Sequence, residues 1–144
     1  MSDVTAAIRD LLEADSGVRA ITTRIRRSWA RYSDDKPYII IQQVGAPPTH
    51  HMGAASGLAE ARVEINSIAS SRGAANALSE AVREALDGMK GSTIGDDSLV
   101  VRSIYSDTGV RHLDETPDDG SQTYIYRDLE EYIVWYVQSV PTFS

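Results

Sequence analysis

The residues able to do chemistry are few, and their spacing argues against most of the chemistry they suggest. His50 and His51 are adjacent, and His112 is the third histidine. Neighbouring side chains on an extended backbone point to opposite sides, so the pair does not converge on one metal without an unusual loop, and these residues read as polar loop groups beside an interface. Asp114-Glu115-Thr116-Pro117-Asp118-Asp119-Gly120 has the composition of a calcium loop. Its glycine stands at the wrong offset from Asp114, and the twelfth position is Ile125 where a bidentate glutamate is required. Gly53-Ala54-Ala55-Ser56-Gly57 misses the spacing that exposes a hydrolase serine, and Gly88-Met89-Lys90-Gly91 lacks the order of a phosphate-cradling loop. Both are turn glycines. Glu60 with Glu64, and Glu130 with Tyr132, share strand faces and could exchange protons, but alternating strand positions ordinarily just face water. With no cluster of nucleophile, base and anion cradle, the sequence assigns no catalytic residue, no metal ligand and no cofactor.

Composition narrows the classes further. Cysteine is absent, which removes disulfide scaffolds, thiolate zinc sites, iron–sulfur clusters and cysteine nucleophiles together. Leu, Ile, Val and Phe make up 32 of the 144 residues, enough for a core when seven tyrosines and two tryptophans are added. No apolar run approaches the ~18 residues of a membrane span, and Met1-Ser2-Asp3-Val4 shows no secretory signal, so the reading is a cytosolic start and no membrane. The net charge of −7 disfavours gripping a phosphate backbone. That charge is uneven. Arg24, Arg26, Arg27 and Arg31 form a basic stretch, whereas positions 107–131 hold eight acids against Arg111 and Arg127. Twelve of the fourteen basic residues are arginine, the cation whose planar fork suits protein interfaces.

The elements that must position these groups follow from periodicity. Val4, Ala7, Ile8, Leu11 and Leu12 give a helical stripe, ended by Asp15-Ser16-Gly17, with a further helical turn through Val18 to Ile25 and an edge strand near 26–32. Tyr38 to Val44 is β-branched and aromatic, and reads as a strand buried on both faces for most of its length and central in a sheet. Gly45 to Gly57 is a long loop of small residues carrying Pro47, Pro48, His50, His51 and Met52, and is marked as a contact surface. Leu58 to Ile68 alternates as a half-buried strand. Ser70 or Ser71 caps the longest helix, whose stripe is Ala74, Leu78, Ala81, Val82, Ala85, Leu86 and Met89, with Gly88 as its stop. The stretch 90–97 reads as a loop, Leu99 to Tyr105 as a strand, and Pro117 to Gly120 as a turn. Thr123 to Val137 is a long last strand, with a bulge near Asp128–Glu131 invoked to absorb its charged middle. The expected fold is α+β: a largely antiparallel mixed sheet of four to five strands with two main helices on one face, as one domain over 1–139 followed by a tail at 140–144.

In their order, these features resemble the tail terminator proteins, also called tail completion or head-to-tail joining proteins, of long-tailed bacteriophages and phage-like particles. The resemblance is carried by the helix ending in Leu11-Leu12, by Pro37-Tyr38-Ile39-Ile40, by Ala61-Arg62-Val63-Glu64-Ile65, by the helix from Ala74 to Gly88, and by Tyr126-Arg127-Asp128 to Trp135. It implies a homo-hexameric ring in the virion, at the head-proximal end of the tail, made in the host cytoplasm. Such a ring stops addition of the major tail tube protein, meets the head–tail connector or a head-completion protein, and lets DNA pass without specific binding. Two other readings stay open, a head-closure or adaptor ring of the neck and a small monomeric enzyme or ligand-binding module. The expected subunit and partner contacts are Arg24, Arg26, Arg27 and Arg31 on the basic side, Asp114, Glu115, Asp118 and Asp119 on the acidic side, Pro47, Pro48, His50, His51 and Met52 in the loop, and Phe143 in the tail. Tyr124, Tyr126, Tyr132 and Tyr136 are read as either interface aromatics or a second core face.

Overall fold

The structure, a computed structural model, describes residues 4–27, 36–45, 58–94, 99–107, 109–115 and 125–137. Helix α1 (Val4–Ala14) turns Val4, Ala7, Ile8 and Leu12 inward, as its spacing demands. A one-turn helix α2 (Ser16–Arg19) follows, its first turn capped by the Asp15 carboxylate accepting from Val18 N at 3.0 Å. Thr22 is buried, donating its hydroxyl proton to Pro37 O at 2.8 Å and accepting from Arg24 N at 3.0 Å, which ties the entry of β1 (Ile25–Arg27) to that of β2 (Tyr38–Gly45).

Strand β3 (Leu58–Ala69) leads into α3 (Arg72–Leu86), where Ser71 accepts from Ala74 N at 3.2 Å. The helix stops at Asp87, and Gly88 reverses the chain at φ 84°, a conformation that side chains with a Cβ resist. Then come β4 (Met89–Ile94), β5 (Leu99–Ser106), β6 (Arg111–Glu115) and β7 (Ile125–Val137). All seven strands join one sheet in the order β1-β2-β3-β7-β5-β4, with β6 on the same flank of β7 as β5. Among the described residues only β1–β2 is parallel, so the sheet is mixed and largely antiparallel, and the class is α+β.

Helix α3 covers the middle strands β3 and β7, while α1 packs on β1 and β2 and also reaches β4 at the far end. The sheet therefore curls toward its helices, helped by register shifts at Gln43/Gly45 and Val101/Ser103. Between helices and sheet lies the main core, which includes Leu12, Ile39, Ile41, Ile65, Leu78, Leu86, Ile104, Tyr132 and Val134. Tyr38, Ile40, Ile68 and Ile125 form a second buried cluster on the opposite face.

Several expectations need correcting. Among the described residues the sheet has seven strands rather than four to five, because the stretch read as a loop after α3 pairs with β5 as β4, and the charged Arg-His-Leu-Asp-Glu run pairs with β7 as β6. Neither carries an apolar alternation; their partners make them strands. Strand β2 lies one place in from the edge, with β3 and β7 at the centre. Its burial is as expected: Tyr38 to Ile41 are buried, alternately in the cluster of each face, and Gln42, Gln43 and Val44 are exposed. No bulge breaks β7, whose ladder with β3 runs unshifted from Leu58–Val137 to Ala69–Tyr126. On α3, Ala75 and Ser79 are buried, while Ala81 and Ala85 only flank the core.

Candidate subunit interface

The charged middle of β7 is absorbed by arginine rather than by a bulge. Asp128 and Glu130 lie on the helix-facing side of β7, in line with Tyr132, Val134 and Tyr136, and both side chains are almost fully buried. A buried carboxylate must be paired and hydrogen-bonded to be tolerated. Asp128 is bonded by Arg72 of α3, by Ser79 Oγ at 3.0 Å, and by His112 Nδ1 at 2.7 Å, a separation suited to the ring donating. Glu130 receives Arg83 Nη2 at 2.8 Å and the hydroxyls of Ser106 and Tyr132, the latter at 2.9 Å. Burial above all, then Glu130, pushes the Tyr132 hydroxyl pKa up, so it stays a donor. Both arginine pKa values are also raised: by the bond to Glu130 first at Arg83, while at Arg72 burial is the largest single influence and lowers the value, and the bonds and charges of Asp114 and Asp128 together exceed it.

Arg72 is the node of this seam. Besides Asp128 it bonds Asp114 of β6 and Asn76 Oδ1, the last at 3.3 Å, and its guanidinium carbon stands 5.5 Å from the centre of the Tyr126 ring. On the open face, Arg62 of β3 bonds Asp107, and Glu131 at 3.1 Å. Five of the eight acids between 107 and 131 are thus bound to arginines of their own chain.

These bonds tie α3, β6 and β7 to one another. Ser79, Asp128 and His112 are the residue types of a hydrolase triad, but Asp128 stands between the other two, so the histidine is not placed to take the serine's proton. A groove of about 260 Å³ beside it is lined by Asn76, Ser79, Glu80, Arg83, Val110 and His112. Among the described residues no group of three or more histidines and carboxylates could hold a metal ion, and no helix is long and apolar enough to cross a membrane.

Of the expected contact residues, Arg24, Arg26 and Arg27 are exposed at the β1 end of the sheet, and Asp114 is exposed on β6, across β2, β3 and β7 from them. Glu115 is the last residue of β6. Arg31, Pro47, Pro48, His50, His51, Met52, Asp118, Asp119, Phe143 and Tyr124 lie outside the described residues. Tyr132 and Tyr136 are buried under the helices and leave the interface set; Tyr126 is half-buried against Arg72. Sequence reasoning put Glu130 and Tyr132 on one face but read that face as wet, and it missed Asp128, Arg72 and Arg83 as site residues. The signal was present in the alternation, which puts both carboxylates on the face of Tyr132 and Val134, where only cations could make burial tolerable.

A family model described as tail completion protein gp17 matches residues 6–127. The chain belongs to this family. It is a structural protein of a phage-type tail. A solved chain from the virion of a native gene transfer agent particle is 15% identical, with 92% of this chain and 94% of that chain covered and a TM-score of 0.65. At that identity the likeness is one of fold. A second solved chain, 14% identical over 94% of this chain and 96% of its own, superposes with a TM-score of 0.46. A search of curated proteins finds no match.

Proposed function

We propose that this protein is the terminator of its tail: a ring of about six copies that caps the head-proximal end of the tube, stops further addition of tube subunits and offers a seat to the head connector. The family match over most of the chain carries this reading. The fold supports it, because one curled sheet with two chemically different ends suits head-to-tail contacts, and heterologous contacts close into rings. An acidic chain also suits a passage for DNA, since a negative wall repels phosphate. Made in the host cytoplasm, it acts in the virion by binding copies of itself, tube subunits and a connector protein.

The test is the absolute mass of the purified protein by light scattering, alone and with its tail-tube subunit. A mass near six copies, or a monomer that assembles on meeting tubes and halts their growth, supports the proposal. A monomer indifferent to tubes overturns it.

A further inference from the structure

Three strands of the sheet have a single strand neighbour among the described residues: β1, paired with β2, β4, paired with β5, and β6, paired with β7; of these, β1 is basic and β6 carries a net negative charge. Edge strands with open backbone groups recruit other strands unless something covers them. β6 also exposes an apolar side chain, Leu113, at 42%. Resting on the ring reading above, we propose that β1 of one copy pairs antiparallel with β6 of the next, so that the sheet continues from copy to copy.

The faces decide the register. Arg26 stands beside Ile40, which belongs to the open-face cluster, and Arg27 beside Ile41, which belongs to the helix-side core. On β6, Asp114 pairs with Tyr126 on the helix side, where Arg72 holds it, and position 115 pairs with Ile125 of the open-face cluster. In an antiparallel ladder, setting Arg27 against Asp114 sets Arg26 against Glu115. Both pairs then join opposite charges on matching faces. A parallel ladder with Arg27 against Asp114 would instead put Arg26 against Leu113. The basic strand thus meets two acids of β6, rather than the 107–131 segment at large, in which Asp107, Asp128, Glu130 and Glu131 are bound to arginines of their own chain. Arg72 contributes by fixing Asp114 and the line of β6 against α3.

The absence of native cysteine makes this directly testable. Within one chain β2, β3 and β7 stand between β1 and β6, several spacings of ~4.8 Å, whereas a disulfide needs Cα atoms within about 7 Å. Any bond between cysteines at 26 and 115 therefore joins two copies. Mixing the Arg26→Cys and Glu115→Cys single variants under mild oxidation, with tube subunits present if assembly needs them, should give a covalent heterodimer that neither variant gives alone. The double variant should close into a covalent species with the mass of the native oligomer. Arg26→Glu should raise the half-assembly concentration about fivefold per interface, and Arg26→Glu with Glu115→Arg should restore it. Preferential crosslinking of Arg26→Cys to Leu113→Cys overturns the antiparallel register. No crosslink in a protein whose mass shows the native oligomer overturns the pairing and leaves the ring standing. A monomer under every condition overturns both.

Discussion

At Tyr132 one hydroxyl links the buried acid of β7 to the pH range in which the fold survives. It donates to Glu130 from a site that is 1% exposed, and its pKa is raised first by burial and then by that carboxylate. In the unfolded chain a tyrosine releases its proton near pH 10, while the folded chain keeps it. Above about pH 10 the native state binds the extra proton, so this group's stabilisation is complete below that pH and is lost as pH rises, by about 1.4 kcal/mol per pH unit. Tyr136, also raised by burial, acts in the same direction. Tyr132→Phe should lower stability at pH 8 by about 1–2 kcal/mol, since Glu130 loses a donor, and should flatten the decline between about pH 10 and 11. Urea midpoints across that range measure it. Parallel curves for the two proteins would show that Tyr132 is not the group responsible.

Among the elements, β6 depends most on a single side chain. β7 is its one strand partner among the described residues, and Arg72 ties Asp114 of β6 and Asp128 of β7 to the start of α3. Arg72→Gln leaves Asp128 with only Ser79 and His112. Breaking a fully buried pair costs about 3–5 kcal/mol, but Arg72 is 30% exposed and water screens the site, so we expect roughly 2 kcal/mol and a fall in Tm of about 4–8 °C. Amide exchange should quicken in β6 well beyond the change in β2 and β3. A uniform rise across the sheet would mean that Arg72 stabilises the fold without acting on β6 in particular. This element also shows where sequence reading stops. The stripes of α1 and α3, the alternation of β3 and the two faces of β7 were legible because each is set by local periodicity. β4 and β6 were not, since a glycine-bearing polar run and a charged pentapeptide become strands only when a neighbour offers a ladder. The Arg72 and Arg83 seam stayed hidden for a related reason: in one dimension those arginines belong to the polar face of a helix, and only the crossing of α3 over β7 brings them within reach of the buried carboxylates.

For the whole molecule, the charge balance bears on what passes through the assembly. Each copy carries −7, and the cluster of cations that could hold a phosphate backbone is Arg24, Arg26, Arg27 and Arg31. In the proposed assembly Arg26 and Arg27 face acids of the next copy, which removes them from the surface DNA would meet. Elsewhere Arg62, Arg72 and Arg83 are each bound to carboxylates of their own chain. Duplex binding requires release of counterions from phosphates neutralised by lysine or arginine, and its affinity climbs steeply as salt falls. A ring with Arg26, Arg27, Arg62, Arg72 and Arg83 engaged should therefore show no binding of a short duplex at micromolar protein, even at about 50 mM salt, measured by fluorescence anisotropy. The assembly-defective Arg26→Glu variant, with one more negative charge, should be equally silent. Binding by the assembled ring with a steep salt dependence would mean that cations line the DNA path, and the picture of a wall that lets DNA slide would have to be abandoned.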